Sequence, residues 1–268
     1  MKKFLSIGLI LAMVLSLTSC GSISAVEIMK NAQDQTAAIE NFEAEIVTSI
    51  AMNIGGMETA IKTTTNTVAF TDPMKMKIFI SEGTQNMEIV IVQEGDAYYA
   101  YGNLGGEWVK EKLPADALVQ YDAQQNMAFY LDLVDELTFS PVTEEKLNGQ
   151  AVYHFDAEAS AETIQKIFQA TGMDDQLAAL GDLSGMMEDL FSNLNGLKMS
   201  MWYDKATGYP LQYEMDMTEI YNQMIQNLMD QMDASTGDLG FNVTELKLTM
   251  TYSNYNSAED FELPVIAE

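Results

Sequence analysis

Two periodicities take turns along this chain, one near 3.6 residues and one of two. From Ser24 to Glu40, Val26, Met29, Ala32, Thr36 and Ile39 recur near helical spacing, which predicts a helix. Phe42 to Ile54 then alternates, with Phe42, Ala44, Ile46, Thr48, Ile50 and Met52 on one face of a strand. Gly55-Gly56 turns the chain into a long threonine-rich strand from Met57 to Phe70. Asp72-Pro73 ends it, and Met74 to Ile80 forms the next strand. Glu82-Gly83 leads into Met87 to Val92, and Glu94-Gly95-Asp96 into Ala97 to Tyr101. Gly105-Gly106 precedes a short strand, Trp108 to Lys110. Turn chemistry between alternating runs predicts an antiparallel meander of about six strands.

Helical spacing returns over Pro114 to Val134, where Leu118, Tyr121, Met127, Tyr130 and Leu131 are apolar. Asn148-Gly149 joins Leu137–Leu147 to Ala151–Ala157 as a hairpin. Ser160 is placed to cap a helix running to Ala170. Asp174 to Asn193 has a helical pattern interrupted by Gly181 and Gly185. Leu197–Tyr203 and Tyr209–Met217 flank a turn at Asp204 to Gly208, Glu219 to Met232 is an amphipathic helix, and Phe241 to Tyr252 is the last long strand.

This gives about ten strands and four or five helices, with no Pro-rich, Ser-rich or Gly-rich linker between them. The expectation is one α+β domain over residues 25–268 with a mainly antiparallel sheet. Several strands exceed the usual length of about 5–6 residues. Long antiparallel strands twist and curl, so the expected architecture is a half-barrel with helices packed across its concave face.

The first residues follow a third pattern. Lys2 and Lys3 precede an uncharged apolar run from Phe4 to Leu17, and Leu17-Thr18-Ser19-Cys20 follows. A positive start, a short apolar core and small residues before a cut are the parts of a secretory leader. The run is short for a permanent span, which needs about 20 apolar residues. Leu17 to Cys20 resembles the lipobox of bacterial lipoproteins. That resemblance implies a leader over residues 1–19 and acyl chains on Cys20, the only cysteine in the chain. Residues 20–24 would then be a short lipidated tether. The domain would stand at the outer face of the cytoplasmic membrane, held there by the Cys20 lipid.

Composition narrows the function. The chain has 13 Lys, no Arg and 40 acids, for a formal charge of −27. Nucleic acid is excluded as a partner, since its recognition needs a basic footprint. One cysteine permits no internal disulfide and, with a single histidine, no Cys/His zinc set. No Gly-x-Ser-x-Gly elbow accompanies His154, which alternates with Tyr153 and Phe155 on a strand. Among 40 acids, pairs such as Glu144-Glu145, Asp174-Asp175 and Glu259-Asp260 arise by chance, and no calcium-loop pattern is present. A non-enzymatic domain without cofactor or metal is expected.

Methionine is plentiful, 20 in all. Met74/Met76, Met199/Met201 and Met215/Met217 each share a strand face at i, i+2. Thioethers bind Cu(I), but they also make adaptable apolar surface, and nothing local clusters with these pairs. Two aromatic groups, Tyr98/Tyr99/Tyr101/Trp108 and Trp202/Tyr203/Tyr209/Tyr213, suit packing at sheet ends better than stacking on sugars.

Asp72-Pro73-Met74-Lys75-Met76-Lys77, Tyr98-Tyr99-Ala100-Tyr101 with Trp108-Val109-Lys110, Met201 to Pro210, and Tyr252 to Asn256 followed by Pro264 together resemble an uncharacterised lipoprotein family of Gram-positive bacteria. That family is similar in architecture to the LolA, LolB and LppX/LprG lipoprotein carriers. The resemblance implies a curled antiparallel half-barrel enclosing an apolar cavity, with no catalytic residues. A lipid or other apolar ligand would then be held between sheet and helices. Candidate lining residues on the first strands are Met74, Met76, Ile78, Ile89 and Ile91. On the later strands they are Met199, Met201, Met215 and Met217, and on the amphipathic helix Met224 and Leu228. The alternative is an envelope sensor or interaction module with a filled core, meeting a protein partner through its acidic surface.

Overall fold

A computed structural model describes residues 23–104, 106–114, 133–170, 194, 196–231 and 241–266. The chain enters through α1 (Ala25–Thr36). Ser24 accepts from the Glu27 backbone N–H, and the Glu27 carboxylate reaches back to the Ser24 N–H, so two otherwise unpaired donors are satisfied together. A meander follows: β1 (Asn41–Ile54), β2 (Met57–Thr71), β3 (Met74–Glu82), β4 (Gln85–Glu94), β5 (Ala97–Leu104) and β6 (Glu107–Leu113). After a 3₁₀ turn (Val134–Glu136) come β7 (Leu137–Phe139), β8 (Thr143–Leu147), β9 (Gln150–Ala159) and α2 (Ala161–Ala170). The last elements are β10 (Leu197–Asp204), β11 (Pro210–Asp216), α3 (Thr218–Gln231) and β12 (Phe241–Ser253).

All strands join one antiparallel sheet in the order β6-β5-β4-β3-β2-β1-β12-β11-β10-β9-β7, with β8 also on β9. The sheet is open, as a half-barrel requires. The long strand β12 returns beside β1 and so joins the first meander to the second.

Directly opposed residues in an antiparallel ladder share a face, so the registers trace rows across the sheet. One row runs Ala100, Ile91, Met76, Ala69, Phe42. The next runs Ile89, Ile78, Thr67, Ala44, Tyr252. A third runs Met87, Ile80, Thr65, Ile46, Met250, Tyr213, Met201, Phe155. The helices pack on this inner face. Ala25, Ile28, Met29 and Ala32 of α1, Ile164 of α2 and Ile220 of α3 form one buried cluster with Phe155, Met199, Met201 and Tyr203.

Twelve strands replace the expected ten or so. The single strand expected over Leu137–Leu147 is two, because Pro141 cannot donate to a ladder and β7 stops before it. The first helix ends at Thr36, not Glu40, and the chain turns through Ala37 into β1. Ser160 Oγ accepts from the Thr163 N–H at the start of α2, where the cap was placed. The helical pattern over Asp174–Asn193 lies outside the described residues, as does most of Pro114–Val134, whose last residue opens the 3₁₀ turn. Among the described residues no helix is long and apolar enough to cross a membrane.

Candidate functional site

The candidate ligand residues were drawn from strands distant in sequence, and the registers put their strand members on one face. They do not form one cluster there. Ile78 and Ile91 are buried, with Met74, Met76 and Ile89 packed against them. Met199 and Met201 are buried in the helix-covered cluster, with Met215, Met217 and Met224 packed against it. Between the two, β2 supplies Thr63, Thr65 and Thr67 to the inner face. The inner face is therefore two apolar fields separated by a threonine band. The Leu228 side chain and Cys20 lie outside the described residues.

The two fields differ in what covers them. Met199 and Met201 belong to one buried cluster with side chains of α1, α2 and α3. Around Ile78 and Ile91 the described neighbours all come from the sheet: Ile80, Tyr98, Ala100 and Leu113 join the five candidates. Those four residues were missed in the sequence. Their signal was available, since Tyr98 and Ala100 alternate with Tyr99 and Tyr101 on one strand.

The aromatic groups are divided by the same alternation. Tyr98 faces inward, while Tyr99, Tyr101 and Trp108 pack on the outer face with Val90, Val92 and Phe261. Tyr203 and Tyr213 face inward and their hydroxyls lie 3.1 Å apart. Tyr252 stands edge-on to Tyr213, and Tyr255 lies beside Tyr209 and Tyr252. Burial pushes the Tyr203 hydroxyl up to about 12 and also raises those of Tyr213 and Tyr255, so all three stay neutral. This cluster is a packed, hydroxyl-bearing core. Tyr252 and Tyr255 were not grouped with the others because over 30 residues of sequence separate them.

Trp202 turns outward, away from its sequence neighbour Tyr203. His154 stacks on it at 4.4 Å with the rings parallel. Glu145 accepts from the Trp202 indole at 2.6 Å and lies 3.3 Å from His154 Nδ1. Asp156 lies 3.7 Å from His154 Nε2. The group has no nucleophile and ties β8, β9 and β10 together. Among the described residues no three His, Cys, Asp or Glu side chains are grouped to hold a metal.

One open cleft of about 670 Å³ lies where β10 and β11 meet α3. Lys198, Asp216, Thr218, Glu219, Asn222 and Gln223 are among its lining residues, and none of the candidate apolar residues is. Burial raises Asp216, but hydrogen bonds from Thr218 and the charge of Lys247 outweigh it and hold the carboxyl below its ordinary range. The cleft mixes these polar side chains with apolar surface that includes Ile220.

Residues 24–267 match a family model described as a family of unknown function, DUF6612. No curated protein matches the chain. Among solved structures, the Mycobacterium tuberculosis lipoprotein LppX is similar with a TM-score of 0.49 at 10% identity, over 88% of this chain and 97% of that one. LprF from Mycobacterium bovis gives 0.47 at 11% identity, over 91% and 99%. A LolA superfamily protein from Nitrosomonas europaea gives 0.25 at 8%, over 90% and 96%. At such scores the architecture stands on its own strand order and registers.

Proposed function

The chain belongs to the DUF6612 family, whose function is unknown, and we propose that it is an exported lipoprotein, held at the outer face of a membrane through Cys20, that binds a lipid or other apolar ligand without chemistry. The observation that supports this reading is the inner apolar field on β3, β4 and β5. Met74, Met76, Ile78, Ile89 and Ile91 lie together there, apart from the helix-filled core. Met side chains adapt to ligands of varied shape, and an apolar field flanked by a few hydroxyls is what a ligand site needs. Here the flanking hydroxyls are those of Thr65, Thr67 and Tyr98. Met199, Met201, Met215, Met217 and Met224 serve the core, and the ligand rests on the early strands.

Native mass spectrometry of the full chain released from detergent tests this reading. Co-purified lipid, or stoichiometric uptake of a fluorescent fatty acyl probe, is expected. Met76→Glu puts a charge at the centre of the field and should weaken probe binding about tenfold or more, since burying an unpaired carboxylate is costly. Met201→Leu in the packed core should leave binding unchanged. A wild-type chain that carries no lipid and takes up no probe overturns the reading. Mass spectrometry of the N-terminal peptide separately tests the acyl chains on Cys20.

A further inference from the structure

β2 is longer than its neighbour. β1 pairs with it from Met57 to Phe70, but β3 pairs with it only from Thr63 onward. The tip of the β1–β2 hairpin therefore projects past the end of β3 by the length of Met57–Lys62, roughly 20 Å of strand. Among the described residues only β12 accompanies it, with Phe241 opposite Ile54. Three large apolar side chains are exposed on this projection: Ile54 at 44%, Met57 at 72% and Ile61 at 37%.

Period two sorts the projection into two unlike faces. Ile46 and Thr65 stand in an inner-face row, so Ile50, Met52 and Ile54 of β1 and Met57, Thr59 and Ile61 of β2 face inward as well. None of these six is charged. Ala51, Asn53, Glu58, Ala60 and Lys62 face outward, so both charges of the projection are on that side. On β3 the inward-facing acid nearest to it is Glu82, opposite Thr63 at the base of the projection. The tip is an amphipathic ribbon with one apolar and one polar face, which is the pattern of an element that lies in a membrane interface.

Charge and continuity decide what this face can meet. A chain with a formal charge of −27 attracts basic partners through its acids, and this face offers none. The same inner surface continues through Ile80 and Met87, which oppose each other on β3 and β4, to Ile78 and Ile89 in the apolar field. Cys20 precedes Ile23 by three residues, at most about 11 Å of chain, and Ile23 packs against the helix-covered core. A lipid on Cys20 therefore keeps the domain at a bilayer surface. We propose that the inner face of the β1–β2 tip docks on that bilayer, with Ile54, Met57 and Ile61 at the headgroup–acyl boundary and Glu58 and Lys62 turned to water. The proposal rests on the reading of the chain as an anchored binder of apolar ligands. It gives that site an entrance, since the face that touches the bilayer is the face that carries the field. The contact is apolar, so neutral phosphatidylcholine supports it, while an anionic bilayer repels the chain until salt screens the charge.

Fluorescence quenching tests the contact in the full lipidated chain, held by its own anchor in phosphatidylcholine vesicles that contain an acyl-chain spin label. An environment-sensitive thiol dye on Met57→Cys should be quenched about twofold or more. The same dye on Phe79→Cys, on the outer face, or on Asp96→Cys, in the turn at the other end of β4, should keep its intensity. The parent chain, with Cys20 acylated, takes up no dye. Adding Ile54→Glu and Ile61→Glu to Met57→Cys should bring quenching down to the control level, since a carboxylate is costly to bury in lipid. Ile54→Leu with Ile61→Leu should keep it. All the substituted side chains are exposed, and circular dichroism confirms folding. The Glu variant should still take up a fluorescent fatty acyl probe from detergent, but about tenfold more slowly from vesicles, which separates the docking face from the ligand field. A Met57 label that is not quenched, equal quenching at all three positions, or quenching that survives both Glu changes overturns the proposal. Quenching at Met57 in a chain that takes up no probe supports the docking and overturns the ligand reading. A parent chain that takes up dye at Cys20 and washes off the vesicles overturns both.

Discussion

At the scale of single residues, Asp204 shows how much one buried carboxylate can hold. It is 3% exposed at the end of β10. Its Oδ1 accepts from the Ala206 and Thr207 N–H groups and from the Thr207 hydroxyl, and its Oδ2 accepts from Gln150. Burial pushes its pKa up, and these four donors outweigh burial and hold the carboxyl below its ordinary range. Hydrogen bonds to a charged group are worth about 1.5–3 kcal/mol. Asp204→Ala should therefore cost about 2–4 kcal/mol, read as a lower midpoint in urea unfolding. A group whose folded pKa is depressed contributes fully above its unfolded value and loses that contribution as pH falls through the folded one. The stability gap between wild type and Asp204→Asn should thus be widest above pH ~5 and close as pH falls below the ordinary value of 3.8. A gap independent of pH would show that charge is not what the turn uses.

At the scale of elements, α3 depends on a place where the ladder stops. β11 pairs with β12 only over Gln212–Asp216, so β12 runs on past it toward Phe241 with that side unpaired. A register shift leaves Thr244 as the extra residue opposite β1. Side chains of α3 take over. The Asn222 amide donates to the Val243 carbonyl at 2.7 Å and accepts from the Val243 N–H at 3.0 Å, and Thr218 Oγ1 accepts from the Leu246 N–H. Asn222→Ala leaves two buried backbone groups without partners, at about 1–3 kcal/mol each. Hydrogen exchange over Thr218–Gln231 should accelerate by more than about tenfold while β9 and β10 keep their protection. Uniform acceleration would mean that α3 is not held locally.

The elements also separate what the sequence could state from what it could not. Strand alternation and turn residues carried the meander from β1 to β6, because Gly55-Gly56, Gly83 and Gly95 all need positive φ. Period two told which side chains share a face within a strand, as with Met74 and Met76 on β3 or Met199 and Met201 on β10, whereas Met217 lies past the end of β11. It could not tell which strands neighbour each other across long gaps. The β1–β12 junction is a pairing between residues 200 apart, and it alone puts the two apolar fields on one surface. Nor could it show that α1, α2 and α3 all cover the same field. That depends on the path of the chain through three dimensions, and it decides that Met199 and Met201 are core residues. His154 and Trp202 illustrate the same limit, being far apart in sequence and 4.4 Å apart in space.

At the scale of the whole molecule, charge is the dominant long-range term. Its 40 acids face 13 lysines. Several lysines are already paired at the surface: Lys77 with Glu88, Lys110 with Glu94, Lys166 with Glu136 and Lys205 with Glu144. Each such exposed pair is worth roughly 0–1 kcal/mol and weakens with salt. The acids in excess repel each other over many pairs, and that repulsion opposes the compact state. Both effects are screened within about 10 Å at 0.1 M salt, so their balance sets the sign. Repulsion among the excess acids outnumbers the pairs, and stability should rise with salt. The melting temperature is expected to climb by several degrees between 10 mM and 300 mM sodium chloride, most steeply below 100 mM, where the screening length changes fastest. The same rise should flatten near pH 4, where protonation removes the excess. Sodium chloride and potassium chloride should act alike, since screening depends on ionic strength and not on a bound ion. A melting temperature that falls with salt would mean that the paired lysines, and not the excess acids, govern the stability of this fold.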